Sequence, residues 1–410
     1  MAPPVLVQDQ SAAAARHSPS APETGPLGKN ANSYGTASRP TANDRRRGLW
    51  DAQRLLWEHS TLERVRKCRR VPTSSNVVLG RMEDGSARYA NLTTCASIHC
   101  CPRCASRIWA GRGEELAAAL EAWHLRGYAV GFITLTMRHA KSQGLADLWD
   151  GLSSAWASAS TQNAAIRKAR ERLNVKGFAR VVESTYGANG WHTHLHVVAF
   201  FERPPKDLEP AVIELGNTMF DGWEKRLRGL GFAAPLRDSG GLDVQVVNLD
   251  QAHEKVAGYV TKGTFEKAAF EVTGGTTKDA RGGNRTPWGL LRAGAEGDRE
   301  SLSRWHEWEQ ASAGRRAMTW TQGLRKELLP DMPEQDDDDL ADEERGELVP
   351  VAFIDKSDWA KVCRIRHAPA RLLEAAEAAS DPLDAWLEVR ALMSLWNLPP
   401  PGLPVGLPPP

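Results

Sequence analysis

The residues best suited to chemistry lie in Trp191-His192-Thr193-His194-Leu195-His196-Val197-Val198-Ala199-Phe200. Three histidines alternate at a spacing of two and run into an apolar, β-branched stretch, the signature of a strand. On a strand that spacing puts all three imidazoles on one face. Neutral imidazoles converging there can hold a divalent metal ion. The plainer alternative is a row of partly buried polar side chains in a chain that has 11 histidines. Glu183, on the preceding strand near the turn, can reach the same ion or hold one of the imidazoles. Alternatively it is an exposed strand glutamate.

A second group with ligand character is Cys95-Ala96-Ser97-Ile98-His99-Cys100-Cys101-Pro102-Arg103-Cys104. Cys101-x-x-Cys104 has the spacing of a zinc knuckle. Cys95, His99 or Cys100 can complete a tetrahedral set, so four of these five residues form a candidate structural zinc site. Free buried thiols and a redox pair are the alternatives.

The third group is Lys255-Val256-Ala257-Gly258-Tyr259-Val260-Thr261-Lys262. Residues 253–262 read as a short helix, which puts Tyr259 and Lys262 on one face. A tyrosyl oxygen can attack phosphorus and form a phosphotyrosine. Its ordinary pKa of about 10 means that attack needs neighbouring positive charge. Lys262 can stabilise either the phenolate or the pentavalent phosphorus. Tyr-x-x-Lys is common by chance; it gains weight here only because it follows the last strand of a fold that already carries the histidines.

These groups need elements to position them. Residues 129–137 read as a strand and 145–172 as a helix broken near Ser160. Strands at 178–186 and 191–201 form a hairpin around the glycine-rich turn. A helix at 208–230 carries the stripe Val212, Leu215, Met219, Trp223 and Leu227, and a strand follows at 242–249. The order β-α-β-β-α-β predicts an α+β fold with a ferredoxin-like antiparallel sheet. Two helices would cover one face and the site would occupy the other.

Around this core, residues 1–47 read as a disordered arm ending in Arg45, Arg46 and Arg47. Residues 48–128 form a basic and cysteine-bearing module with a helix near 49–70 and another at 111–125. Residues 129–263 are the core and 264–330 a helical extension whose four tryptophans anchor a packed layer. Residues 331–348 form an acidic, mobile linker, 349–398 a small C-terminal module, and 399–410 a proline-rich tail without packing.

The chain of 410 residues has a net charge of only +1, but residues 331–347 hold ten acidic groups and one basic, so the rest is distinctly basic. That distribution fits a polyanion-binding body, and the run Arg64, Arg66, Lys67, Arg69, Arg70 is a candidate phosphate contact. Clustering of four of the six cysteines argues against an exported disulfide scaffold. No stretch has transmembrane length and no signal peptide is evident, so the expected location is the cytoplasm, away from membranes.

Three segments in order resemble the rolling-circle replication initiators of actinobacterial plasmids, in the His-hydrophobic-His (HUH) endonuclease superfamily. Phe132-Ile133-Thr134-Leu135-Thr136-Met137-Arg138-His139 is similar to the family's opening strand. His194-Leu195-His196 matches its defining pair, and Gly258-Tyr259-Val260-Thr261-Lys262 its tyrosine and lysine. The cysteine segment and residues 314–325 also resemble this group, and the likeness covers roughly residues 48–330.

The resemblance implies site-specific nicking of single-stranded DNA at a double-strand origin, with Tyr259 as nucleophile and a Mg²⁺ or Mn²⁺ ion as cofactor. The implied partners are plasmid origin DNA, duplex and hairpin, together with a host helicase, single-strand-binding protein and DNA polymerase; a homodimer is a further expectation. One departure concerns termination. The family's glutamate one turn before the tyrosine is replaced by Lys255, which leaves Glu254 as the candidate to activate water, with Glu183 or a second Tyr259 as rivals. Two other functions stay open: a conjugative relaxase with the same chemistry, which usually places its tyrosine before the histidines, and a non-catalytic zinc-containing DNA-binding regulator.

Overall fold

A computed structural model describes residues 41–203, 207–247, 284–342 and 347–404, all within one compact unit, Arg39–Pro410. The architecture is mixed α+β around two antiparallel sheets.

The chain enters through helix α1 (Ala42–His59). Thr41 and Asp44 close a reciprocal capping box, so the helix starts inside the stretch expected to be a disordered arm. Arg46 and Arg47 are not loose arm residues: they pair with Glu377 and Glu374. The helical pattern expected over 49–70 is interrupted at Ser60 and Thr61, which bind the buried Glu309 carboxylate. A short helix α2 (Glu63–Lys67) follows.

Strands β1 (Asn76–Arg81) and β2 (Ala87–Ala90) form a hairpin not anticipated from the sequence. Helix α3 (Pro102–Leu125) starts nine residues earlier than the expected residue 111. Pro102 takes its first turn, where a missing N–H costs nothing.

The core then runs as expected. Strand β3 (Ala129–Thr136) leads to helix α4 (Leu145–Ala157), a π-turn at Ser158–Gln162, and helix α5 (Ala164–Arg172). The break falls at the predicted place. Asn163 caps α5 by accepting from the Ala165 amide. Strands β4 (Val175–Gly187) and β5 (Gly190–Phe201), helix α6 (Leu208–Gly229) and strand β6 (Leu242–Val247) follow. The predicted stripe on α6 is buried throughout.

Helices α7 (Pro287–Ala295) and α8 (Arg299–Ser312), strand β7 (Met318–Trp320) and helix α9 (Leu324–Leu328) make up the extension. Trp288, Trp305 and Trp308 are buried in it, and Trp320 donates to Glu115. The chain continues through α10 (Asp337–Ala341), β8 (Val349–Asp355), α11 (Lys356–Val362), α12 (Ala368–Ala378) and α13 (Pro382–Leu395).

The larger sheet has the order β6-β3-β5-β4-β7, with every neighbouring pair antiparallel. Alternation divides its faces. On one, Trp149 of α4 donates to Ser184, which donates to Thr193, and Trp156 meets Phe178 edge to face. That face carries the helices. The other carries the histidines, and at its far end Trp123 of α3 and Trp320 pack on Phe200.

The smaller sheet has the order β2-β1-β8. Its core joins Trp50 and Trp57 of α1 to Tyr89, Trp359 and the apolar faces of α12 and α13. Residues 349–398 therefore share a sheet and a core with residues 76–90. Two expectations for the chain's end are corrected. The acidic stretch at 336–342 is not without structure: it contains α10 and packs on α3, with Ala341 fully buried. The proline-rich tail is not free as far as residue 404. Gly402 exchanges both backbone hydrogen bonds with Phe353, and Pro401 accepts from the Trp386 indole. Carbonyls beside proline remain good acceptors, so a proline-rich tail can still be tied down.

Candidate functional site

The β4–β5 hairpin fixes the first cluster. Its arms pair continuously from Phe178 opposite Ala199 to Gly187 opposite Gly190, with Gly190 at φ +92° closing the turn. In this register Glu183 faces His194, and Thr136 of β3 flanks His194 from the other side. Cross-strand partners share a face, so the carboxylate and imidazoles meet without help from any loop.

His194 Nε2 and His196 Nε2 lie 3.1 Å apart. Glu183 Oε2 stands 3.2 Å from the first and 3.1 Å from the second. The three side chains keep 13%, 13% and 19% of their surface exposed, so the cluster is sheltered but reachable. Phe132 stacks on the His196 ring, and the Thr134 hydroxyl is 3.3 Å from its Nδ1, which turns Nε2 toward the cluster. Burial pushes the Glu183 carboxyl up, but its hydrogen bonds with His194 and His196 outweigh this and hold it well below the usual carboxylate value.

The donor set fits a divalent cation. Ligand atoms about 2.1 Å from an ion and at right angles around it are about 3.0 Å apart, close to the spacings found. Two imidazoles and one carboxylate leave coordination positions for further ligands.

His192 is not in this triplet. It lies one rung nearer the turn, opposite Thr185, with ring contacts to His139 and His194. Burial first, then the charge of His194, lowers its pKa to about 4. The strand spacing places all three histidines on one face as expected, but the carboxylate opposes only one rung and gathers the two nearest imidazoles. His139, at the end of the opening motif, joins the site rim through His192; its nearness to β5 depends on the β3–β5 pairing.

The second cluster is Cys68, Cys95, Cys101 and Cys104, all buried, with sulfurs within 4.8 Å of one another. The Cys68–Cys101, Cys68–Cys104 and Cys95–Cys104 separations are each 3.7 Å. Four thiolates about 2.3 Å from a zinc ion in a tetrahedron are about 3.8 Å apart, so the set fits structural zinc. Hydrogen bonding with Cys101, Cys68 and Cys95 pulls the Cys104 thiol well below its usual value. Burial pushes Cys101 well up.

This corrects the expected ligand set. Cys95, Cys101 and Cys104 belong to it, but His99 and Cys100 do not. His99 is wedged between Trp149 and Trp308 with Nε2 3.2 Å from the Arg315 carbonyl, and burial lowers its pKa to about 4. Cys100 points to the Ser312 hydroxyl at 3.3 Å. Cys101 caps α3 and Cys104 lies in its first turn, so Cys100 falls on the opposite side of the helix start.

The fourth ligand, Cys68, comes from the end of α2. Below the β1–β2 hairpin its two arms stay paired: Arg69 donates to Thr93, Thr93 to Val71, and Pro72 bridges Leu92. That pairing delivers Cys68 beside Cys95. Gln53 and Trp57 of α1 both donate to the Cys68 carbonyl, and Gln53 accepts from the Cys101 thiol.

Tyr259, Lys262 and Glu254 lie outside the described residues. Among the described residues, no helix is long and apolar enough to cross a membrane.

Comparison with known proteins finds one at 29% identity over 384 residues, named "Protein rep", from Streptomyces lividans. The alignment covers 78% of this chain and 84% of that protein. No protein-family model matches the chain, and no solved structure matches it.

Proposed function

We propose that the chain is a plasmid rolling-circle replication initiator, a metal-dependent nicking and strand-transfer enzyme of the HUH type. The observation that carries this reading is the meeting of Glu183, His194 and His196 on one face of the sheet. Three features support it. The order β6-β3-β5-β4, all antiparallel, is the one a split βαβ, ferredoxin-like core requires. The Tyr259 motif follows β6, which pairs with β3 beside the cluster. The relative's name points to replication.

In this reading Glu183, His194 and His196 hold Mg²⁺ or Mn²⁺. The ion supplies positive charge that draws electron density from the scissile phosphate and offsets charge on its non-bridging oxygens. The two imidazoles favour Mn²⁺ at equal concentration, and cellular abundance favours Mg²⁺. Tyr259 Oη attacks phosphorus while the bond to the 3′ oxygen breaks. The product is a 5′-phosphotyrosine and a free 3′-OH, which a host polymerase extends behind a helicase while single-strand-binding protein coats the displaced strand. Lys262 stabilises the phenolate, and Glu254 activates the water that ends the cycle. His192, neutral beside the triplet, completes the polar rim.

The test is incubation of the protein with a labelled origin oligonucleotide and Mn²⁺. A covalent adduct that disappears with Tyr259→Phe, while folding is unchanged, is the expected result. Adduct formation by Tyr259→Phe would remove Tyr259 as nucleophile, and no adduct with wild-type protein on any origin fragment would remove the nicking function.

A further inference from the structure

The acidic helix α10 lies on a basic surface built by the two helices that the cysteine cluster joins. Arg64 of α2 reaches Asp338 at 3.1 Å, and Arg112 of α3 reaches Asp337 at 2.8 Å. Arg107 donates to the Asp342 carbonyl. Arg64 sits one turn before Cys68 and Arg107 one turn after Cys104, so the four thiols fix both helices in one relation. Arg66 and Arg70 are exposed on and just after α2, while Lys67 pairs with Glu63.

The contact combines a small apolar seat with ion pairs, of which Arg112–Asp337 is the more sheltered. Its apolar part is narrow: Leu340 seats over Gly111, where a Cβ would stand 2.5 Å from a Leu340 methyl, and Ala341 is buried beside it. The Arg64–Asp338 pair is largely exposed, with 70% and 73% of the side chains in solvent, and such pairs are weak and screened by salt. Asp336 and Asp339 use their carboxylates to cap α10, which keeps the short helix formed with Asp337 and Asp338 presented as a row of anions. Guanidinium groups spaced to accept a row of carboxylates also suit the phosphates of a nucleic-acid backbone.

We propose that the α2–α3 face is a docking surface for the backbone of duplex DNA, and that α10 covers it as an intramolecular competitor. Duplex binding lifts the acidic segment, and the segment raises the threshold for non-specific binding. This rests on the replication reading for its partner but concerns a different face from the Glu183–His194–His196 site.

The experiment measures anisotropy of a fluorescent 30-base-pair duplex with the full-length, zinc-loaded chain at low salt. Asp337→Asn with Asp338→Asn is expected to tighten binding about tenfold and to steepen its salt dependence. Adding Arg64→Gln and Arg112→Gln to that variant should return affinity to the wild-type level or below. Glu209→Gln with Glu388→Gln, two exposed carboxylates elsewhere, controls for net charge. Leu340→Ala, read alongside, should tighten binding without a charge change. The proposal is overturned if the α10 variants bind no better than wild type, if the control pair has an equal effect, or if the arginine changes leave the gain intact. Nicking of a single-stranded origin oligonucleotide by the same preparations separates the two readings. Nicking kept with no α10 effect sinks this inference alone, and nicking absent sinks the replication reading.

Discussion

Among the described residues, two clusters of side chains that could hold a metal ion differ in nearly every physical respect. Glu183, His194 and His196 sit on adjacent strands of one hairpin, partly exposed, and combine a hard carboxylate with two borderline imidazoles. Cys68, Cys95, Cys101 and Cys104 come from a helix end, a loop and a helix start, and are fully buried. The open, mixed set can admit a substrate; the closed, all-sulfur set cannot. On the proposed reading, the difference separates a place for chemistry from a clasp between α2 and α3. It also predicts that disturbing each cluster will fail differently.

The largest effect is expected at the clasp. Structural zinc in small modules contributes about 10–16 kcal/mol of apparent binding energy, so Cys68→Ser should lose zinc by elemental analysis and unfold at much lower temperature. Retained zinc and an unchanged melting curve would break the comparison. Next is His196→Ala, which should cut adduct formation by about 10²–10³-fold while zinc content and melting stay put. Glu183→Gln keeps shape but loses charge, and should weaken Mn²⁺ dependence and rate by about 10–100-fold. His192→Ala should cost clearly less than His196→Ala; equal losses would restore His192 to the ligand set.

The smallest effect concerns thiol reactivity. Burial pushes Cys100 and Cys363 up to about 12, so both should resist alkylation at neutral pH. Chelation should expose the four clustered cysteines to a maleimide and leave Cys100 and Cys363 unlabelled until the protein is denatured. Mass spectrometry of labelled peptides reads this directly, and labelling of Cys100 together with Cys101 after chelation would undo the assignment.

The same contrast explains what could be read from the sequence. The histidine site was legible because its geometry is local. A spacing of two, a glycine turn and one upstream carboxylate fix a hairpin register without long-range information. Which two imidazoles the carboxylate would gather was not legible, since this depends on the residue directly opposite. Cys68 was missed because it lies in a run of arginines and lysines that reads as surface. Its nearness to Cys95 follows from β1 and β2, two short strands whose apolar signal is weak. Those strands became recognisable only with β8, which arrives from the far end of the chain. The acidic stretch was read by its charge, and one leucine, Leu340, decided its fate instead.

Strand β1 pairs Val77 with Ile354 and Asn76 with Asp355. A ribosome therefore makes the first of these partners long before the second. Until residues 349–355 have been made, β1 lacks its β8 partner and offers a bare edge of amides and carbonyls, which readily recruits foreign strands. The larger sheet takes all five strands from upstream of β8 and can close earlier. A product cut short before residue 349 would thus keep its histidine face yet carry an unsealed seam at the other end. Loss of solubility in such fragments would report directly on whether synthesis reached β8.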